Sequence, residues 1–260
     1  MRSLWTGSLS FGLINIPVKL YSASEERALS FKLFDKHGNC PVSYIKVCRD
    51  NHKEIPQEDI VKGYEYQKGD YIILDESDFK KAAPKKTDLI DIVQFSDEED
   101  IESKYYEKPY YIEPDKKAGK AYLLLRDALE KSKKVAIARF VMRDKEHIAA
   151  IKPDGDVLVL NQLRFRDEIK DTKDLAIPKS ANYSDGEFSV ATTLIKQLTS
   201  KFDPKKFKDT YVDELKEVIE AKAKGKKVKA PAHQKERTDT QMKDLMKLLK
   251  KSLEKETVRG

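Results

Sequence analysis

The sequence predicts a mixed β/α protein, in which a β-rich body of about two-thirds of the chain precedes a helical arm. Ile16, Val18 and Leu20 alternate with Pro17, Lys19 and Tyr21, which is the period of a half-buried strand. The runs at 135–142 and 157–160 are apolar on both faces, as strands in a barrel or sandwich are. From residue 185 onward, apolar residues recur at helical spacing instead.

The first strands are interrupted by glycine and proline. The apolar alternation slips by one residue at Gly12, which predicts a bulge there. Pro17 and Pro109 lack a ladder donor, so we expect strand edges or strand starts at these residues. Five further runs are typical of strands, namely residues 29–34, 42–47, 71–74, 89–95 and 105–112.

The remaining elements are a hairpin and three helices. The hairpin covers residues 136–160, and its second turn is predicted at Pro153-Asp154-Gly155. A helix interrupts the β region and begins after Pro114-Asp115, with the apolar stripe Ala121, Leu124, Leu125, Ala128 and Leu129. Two more helices are predicted from Ser184-Asp185 to Asp203-Pro204 and from Tyr211 to about Gly225.

Positive charge is concentrated at the end of the chain. The 260 residues contain 51 Lys+Arg and 45 Asp+Glu, a net charge of +6. Residues 222–260 hold 13 basic and 5 acidic residues, or +8, which leaves 38 basic and 40 acidic residues, or −2, for residues 1–221. A basic tail favours a polyanionic partner such as nucleic acid, although a solubilising, disordered terminus is the alternative. A short amphipathic stripe closes the tail: Met242, Leu245, Met246, Leu249 and Leu253.

Catalytic and metal-binding patterns are sparse. Glycine-rich phosphate loops, the Gly-x-Ser-x-Gly elbow and the His-Glu-x-x-His metalloprotease motif are absent from the sequence, so no enzyme class and no cofactor is predicted. His37, Cys40, Cys48 and His52 could close a tetrahedral zinc site, but the two cysteines could equally be small core residues. Two cysteines do not make a disulfide framework, and no run approaches the roughly 18 apolar residues of a membrane span. We therefore expect a cytoplasmic protein.

The candidate nucleic-acid contacts are basic residues within the predicted strands. Lys32, Lys36, Lys46, Arg49 and Lys53 recur through the predicted strand pair from 29 to 53, and several of them are at alternate positions that would face the same side. Arg139 and Arg143 interrupt the apolar hairpin, where a buried charge would require a partner or a carboxylate. The tail adds Lys222, Lys224, Lys226, Lys227 and Lys229. Because no base-reading motif occurs, binding is expected to use phosphates and to be independent of sequence.

Five segments in their order resemble the bacterial Ku proteins, which bind DNA double-strand breaks. They are WTGSLSFGLINIPVKLY at 5–21, IVKGYEY at 60–66, KPYYIEPD at 108–115, VAIARFV at 135–141 and the hairpin from His147 to Leu160. Many relatives carry Cys-x-x-Cys where this chain has Cys48-Arg49-Asp50-Asn51, which argues further against zinc.

The resemblance implies a β-barrel core with a strand-built bridge that encircles DNA, followed by a helical C-terminal arm. Residues 1–185 would form the core, with the bridge at about 29–60, residues 186–221 the arm, and residues 222–260 a basic linker with its amphipathic end. The resemblance further implies a non-catalytic, nucleoid-associated homodimer that holds double-stranded DNA ends. It would recruit a multifunctional ATP-dependent DNA ligase, for which residues 242–253 are the candidate docking element. The alternative is a lyase that acts on abasic DNA ends through a tail lysine.

Overall fold

The computed structural model describes residues 1–25, 29–38, 40–82 and 88–225. The chain divides into two units, Met1–Glu26 with Ser30–Asp171 and Arg27–Leu29 with Thr172–Gly260. The strands of the described part are β1 (Trp5–Phe11), β2 (Ile14–Ser22), β3 (Lys62–Gln67), β4 (Asp70–Leu74), β5 (Leu89–Asp97), β6 (Tyr106–Pro114), β7 (Lys134–Met142), β8 (Lys145–Asp154) and β9 (Val157–Leu163). Its α-helices are α1 (Glu76–Ala82), α2 (Gly119–Ser132), α3 (Asp185–Leu198) and α4 (Thr210–Ala223).

Seven of the described strands close into a barrel, in the order β1-β2-β6-β9-β8-β7-β5. Neighbouring strands are antiparallel except at the closure, where Ser8 to Ser10 of β1 run parallel to Leu89 to Asp91 of β5. Strands β3 and β4 form a separate two-stranded hairpin. The predicted mixed β/α class with a barrel core is thus confirmed.

Alternation along β2 fills the barrel interior. Ile16, Val18 and Leu20 are buried, whereas Pro17 and Lys19 between them are exposed, so the predicted period is confirmed. The same core contains the fully buried side chains Leu9, Ile90, Phe140, Ile151 and Leu160. Burial of large aliphatic and aromatic side chains, at roughly 1.5–3 kcal/mol each, is the main stabilising contribution to such a core.

Two turn predictions are corrected by the structure. Gly12 is not a bulge: it is the first residue of the two-residue turn between β1 and β2, and its φ of +60° suits a type II′ hairpin. The second predicted turn shifts towards the C-terminus, because Asp154 still pairs with Val157 and the turn is made by Gly155 and Asp156.

Pro17 and Pro109 lie inside strands of the closed barrel, where neither strand is an edge of the sheet. The β2–β6 ladder runs from Val18 paired with Pro114 to Ser22 paired with Tyr110. Each proline therefore lies one residue beyond an end of that ladder, where its missing N–H removes no hydrogen bond. Neither residue belongs to an edge strand or begins its strand, so both alternatives of the prediction are wrong.

Helix α2 packs against the barrel through a face shifted from the predicted stripe. Tyr122, Leu125 and Leu129 are buried and belong to the barrel core, whereas Leu124 is 60% exposed. The Tyr122 hydroxyl donates to the Ile112 carbonyl at 2.9 Å and accepts from the Leu158 amide at 2.6 Å. Burial raises the pKa of this phenol. Tyr122 therefore packs against the barrel where Leu124 was predicted to do so, and its hydroxyl satisfies two backbone groups there.

Residues 29–61 do not form the strands predicted at 29–34 and 42–47. They contain two isolated bridges, Phe34 with Pro41 and Val47 with Glu54, and a short 3-10 helix at Gln57–Asp59. Nearly all of their side chains are exposed. A two-stranded ribbon that buries neither face has little to stabilise it by itself.

The helices of the second unit begin close to the predicted positions, but α3 ends at Leu198, before the predicted stop at Asp203-Pro204. At α3, the Glu187 amide donates to Ser184 Oγ and the Ser184 amide donates to Glu187 Oε2, which forms a capping box. Asp209 caps α4 by accepting from the Tyr211 amide at 3.0 Å. Most of the basic linker and the whole amphipathic stripe lie outside the described residues.

Candidate nucleic-acid interface

Two short turns give the segment 29–61 its local order. In the first, the Val42 amide donates to the Leu33 carbonyl and the Asp35 amide donates to the Cys40 carbonyl. In the second, the Ile55 amide donates to the Lys46 carbonyl and the Cys48 amide donates to the Lys53 carbonyl. We call this pair of turns the double loop.

All five basic residues predicted in this segment are exposed on the double loop. Lys32 and Lys36 belong to the first turn and its approach, and Lys46, Arg49 and Lys53 belong to the second. They do not share a face through strand alternation, because the strands are not formed.

The double-loop cations differ from the barrel cations in their partners. On the barrel, Lys134 lies 2.7 Å from Asp97, Arg126 lies 2.8 Å from Asp127, and Lys152 pairs with Glu98. Within the described ranges, none of the five double-loop cations forms an ion pair, and Lys46 instead donates from Nζ to Gln57 Oε1 at 2.6 Å. Their charge is therefore available to an external anion.

The segment of the double loop, residues 29–61, carries no net charge. Residues 29–61 contain five basic residues and five acidic residues, Asp35, Asp50, Glu54, Glu58 and Asp59. One of these carboxylates is used internally, since Asp35 Oδ2 accepts from the Gly38 amide. Attraction of a polyanion would thus depend on where the cations are placed and not on the sum of charges.

Arg139 and Arg143 lie at the barrel surface and carry no burial penalty. Arg139 is exposed on β7, opposite Asp91 of β5 in the strand register. Arg143 is exposed in the turn between β7 and β8, where Arg143 and Asp144 have φ values of 54° and 62°. Positive φ at both central residues is the geometry of a type I′ hairpin. A role for either arginine in DNA binding stays a prediction.

Two of the five predicted tail lysines lie within the described residues. Lys222 is the penultimate residue of α4, and Lys224 caps its end with Nζ 3.6 Å from Glu220 Oε2. The remaining predicted DNA contacts Lys226, Lys227 and Lys229 lie outside the described residues, as do the predicted partner contacts Met242, Leu245, Met246, Leu249 and Leu253.

The four candidate zinc ligands do not come together. Among the described residues there is no group of three or more His, Cys, Asp or Glu side chains that could hold a metal ion. Cys40 is exposed, with Sγ 3.6 Å from the Pro41 carbonyl, and Cys48 is partly exposed. Neither cysteine is the buried core residue of the alternative interpretation.

Sequence reasoning missed the exposed apolar surface of the β3–β4 hairpin. Every residue of β3 is exposed, and Tyr64, Tyr71 and Ile73 expose 64%, 61% and 59% of their surface. Lys62 Nζ lies 4.7 Å from the centre of the Phe79 ring of α1, which anchors the hairpin to that helix. The alternation of apolar residues in 60–66 is visible in the sequence, but a solvent-exposed strand pair is not distinguishable there from a buried one.

Among the described residues, no helix is long and apolar enough to cross a bilayer.

Comparison with known proteins agrees with this geometry. Residues 10–190 match the family model described as the Ku70/Ku80 beta-barrel domain. The relative from Opitutus terrae, a "Non-homologous end joining protein Ku", is 39% identical over 254 residues, which cover 97% of this chain and 91% of the relative. Proteins of the same name from Coxiella burnetii and Pseudomonas aeruginosa are 37% and 36% identical, and the matches cover 97% of this chain and 94% and 88% of those proteins.

Proposed function

Because the chain belongs to the Ku family, we propose that it binds the ends of double-stranded DNA without sequence preference and acts in non-homologous end joining. The double loop would supply phosphate contacts through Lys32, Lys36, Lys46, Arg49 and Lys53. Contacts to phosphate position a protein on the duplex but carry no base information, which suits a factor that must accept any break.

The observation that carries this proposal is the absence of ion pairs at the five double-loop cations within the described ranges. A lysine already paired with a carboxylate gains little from a phosphate, since one ion pair replaces another. An exposed, unpaired lysine gains the contact and releases the counterions condensed on the DNA. Arg139, Arg143 and the tail lysines are proposed as additional contacts.

We further propose that two copies form a ring around the duplex. The support is the apolar surface of the β3–β4 hairpin, where Tyr64 pairs with Ile72 across the strands and both are largely exposed. A contiguous exposed apolar surface of this kind is typical of an interface between proteins. A second copy is the proposed cover.

The helical arm supplies a second apolar surface for the same dimer. Phe188, Ile195 and Leu198 of α3 are each more than half exposed, although they lie at helical spacing along one stripe. In α4, Tyr211 is also largely exposed. An amphipathic helix without a partner for its apolar face is expected to bury that face in an assembly.

Recruitment of an ATP-dependent DNA ligase is proposed for residues 242–253, through their apolar stripe. The competing lyase hypothesis rests mostly on lysines beyond Gly225, and no observation on residues up to Gly225 favours it. We therefore propose a non-catalytic role.

The decisive experiment compares DNA topologies. The full chain is titrated with a linear duplex, the same duplex with both ends closed by hairpins, and a closed circle of the same sequence. Tight binding to the open linear form, with at least tenfold weaker binding to the other two, is expected. Equal affinity for all three would contradict end binding.

The ring proposal needs its own test. Ile72→Lys places a charge beside Tyr64 in the apolar hairpin surface, and Gln67→Lys adds the same charge to an exposed polar position of the same hairpin. Light scattering should find a monomer for the first variant and a dimer for the wild type and the second. A dimeric Ile72→Lys protein would exclude this face of the hairpin from the interface.

A further inference from the structure

A groove runs along the outside of the barrel beside the start of α2. Its volume is about 990 Å³, and its walls come from β2, β6, α2 and the turn between β8 and β9, all within the first unit. A smaller depression of about 390 Å³ lies next to it, over β6, β8 and β9. Tyr111 and Asp154 line both, so they stand where the two depressions meet.

The apolar surface that the groove offers to a ligand is small. It is formed by Pro114 and Val157, which are partly exposed, and by Leu123, which is 44% exposed. Ile112 and Tyr122 lie behind this surface and are buried in the barrel core. The whole groove is lined by twelve residues, fewer than the roughly 20–30 that each side of a stable protein–protein interface uses. Its size therefore suits a short segment and not a second folded copy.

The rim of the groove is acidic. Asp154 and Asp156 are exposed, and within the described ranges the Asp154 carboxylate has neither a hydrogen bond nor an ion pair. Asp156 Oδ1 lies 3.9 Å from Arg126 Nη1, a long and exposed pair that neutralises little of its charge. No lysine or arginine lines the groove, and Lys152 of the smaller depression is already paired with Glu98. The rim therefore repels phosphate and attracts cations.

Two tyrosines stand side by side between the rim and β2. Tyr21 and Tyr111 are direct cross-strand partners of β2 and β6, and both are partly exposed. The Tyr21 hydroxyl donates to Glu113 Oε2 at 2.6 Å, which fixes the position of this carboxylate. A guanidinium stacks on an aromatic ring and pairs with a carboxylate through its planar edge, whereas an ammonium is a more strongly hydrated point charge. The combination favours arginine over lysine.

We propose that this groove binds a short, arginine-containing segment of a partner protein. One guanidinium would lie on the Tyr111 ring and pair with Asp154, and a neighbouring aliphatic side chain would pack against Leu123. The charge of the rim identifies the ligand as a cationic protein segment and excludes nucleic acid from this surface. The barrel would thus carry a protein-binding site separate from the double loop.

A peptide of defined sequence tests the proposal on the full chain without DNA. Fluorescein-labelled Gly-Arg-Leu-Arg-Leu-Arg and its lysine analogue Gly-Lys-Leu-Lys-Leu-Lys are titrated and followed by anisotropy. Saturable binding of one arginine peptide per copy is expected, about threefold tighter than that of the lysine peptide. No saturable binding, the result if a second copy already covers the groove, or equal affinity for the two peptides would overturn the proposal. Because DNA is absent, neither result depends on end binding.

Removal of the rim charges locates the binding. Asp154→Asn with Asp156→Asn should weaken the arginine peptide about fivefold, since two exposed ion pairs are lost. The matched control, Glu99→Gln with Glu146→Gln, makes the same charge change on exposed barrel residues outside the groove and should leave the affinity unchanged. An equal loss in the two double variants would show attraction by overall charge alone and refute the site.

The ring of Tyr111 has a matched pair of variants. Tyr111→Leu removes the aromatic face and should weaken the arginine peptide about threefold, while Tyr111→Phe keeps the ring and should keep the affinity. An equal affinity for these two variants would exclude stacking on Tyr111. Finally, the central leucine of the peptide is replaced by p-benzoylphenylalanine for photo-cross-linking. Adducts on Leu123 or Pro114 are expected, and adducts confined to other surfaces would overturn the proposal.

Discussion

The salt dependence of DNA binding is the sharpest measure of the double loop. The perturbation is the triple variant Lys32→Ala, Lys46→Ala and Arg49→Ala. These three side chains are exposed, and none of them has a carboxylate partner in the described chain. The truncations should therefore remove phosphate contacts without breaking an internal ion pair.

The magnitude follows from counterion release. Each phosphate contact contributes about 0.9 to the slope of log Kobs against log salt concentration, so three contacts contribute about 2.7 per copy and about 5.4 in a homodimer. If the three contacts of a single copy add nothing to the affinity at 1 M salt, the slope of about 2.7 means that they raise the affinity at 0.1 M salt by about 2.7 powers of ten, or about 500-fold. Loss of this size is measurable by anisotropy with a labelled linear duplex.

A matched control separates contact from overall charge. Lys80→Ala, Lys104→Ala and Lys134→Ala remove the same three positive charges, but these lysines already face Glu76, Glu102 and Asp97 at 3.8, 2.7 and 2.7 Å. The control should keep the wild-type slope. If the double-loop variant changes the slope by less than about 1, or if the control changes it equally, phosphate contact at the double loop is refuted.

Three further predictions concern the stability of the fold. Tyr122→Phe leaves the buried Leu158 amide without its acceptor and should lower the free energy of unfolding by about 1–3 kcal/mol in urea titrations. Gly12→Ala meets open space but must adopt a φ of +60°, so a loss of about 1 kcal/mol is expected from the same titrations. The capping box with Ser184 lowers the pKa of Glu187. The stabilisation of α3 by this box should therefore be present above the ordinary carboxyl pKa of 4.5 and be lost as the pH falls through the lowered pKa. Glu187→Gln should remove this pH dependence from the thermal unfolding of α3.

Each of these predictions has a comparison that can contradict it. Tyr111→Phe changes a partly exposed phenol, and its free energy of unfolding should stay within about 0.5 kcal/mol of the wild-type value. If Tyr122→Phe lowers the free energy of unfolding no more than Tyr111→Phe does, the Tyr122 hydroxyl has no structural role. Gly119→Ala starts helix α2 at an ordinary φ and should not destabilise, so a similar cost at both glycines would exclude backbone strain as the cause. A pH profile unchanged by Glu187→Gln would mean that the box does not stabilise α3.

The sequence was most informative where burial and periodicity agree. Ile16, Val18 and Leu20 had to face a core, and the barrel provides it. The start of α3 followed from its capping residue Ser184, whereas its end at Leu198 lies before the predicted stop. Leu124 shows the limit of this reasoning: a helix has several apolar stripes, and the one that packs is decided by hydrogen bonds such as those of the Tyr122 hydroxyl, which no pattern of hydrophobicity encodes.

The candidate interface was predictable in composition but not in arrangement. Lys46 and Arg49 were identified from a strand alternation that the structure lacks, and they nevertheless emerge as exposed cations without ion pairs in the described segment. Whether a lysine is free or paired depends on contacts between distant segments, such as Lys134 with Asp97.

The way in which the barrel closes has a consequence for biosynthesis. The β1–β2 hairpin is translated first, but its outer partners β5 and β6 begin only at Leu89 and Tyr106. At a ribosomal rate of about 5–20 residues per second, the 67 residues from Ser22 to Leu89 keep both edges of the nascent hairpin unpaired for about 3–13 s. By contrast, β7, β8 and β9 follow one another directly and can pair as they emerge. The N-terminal hairpin is thus the segment most exposed to aggregation during synthesis and the natural client for a chaperone at the ribosome.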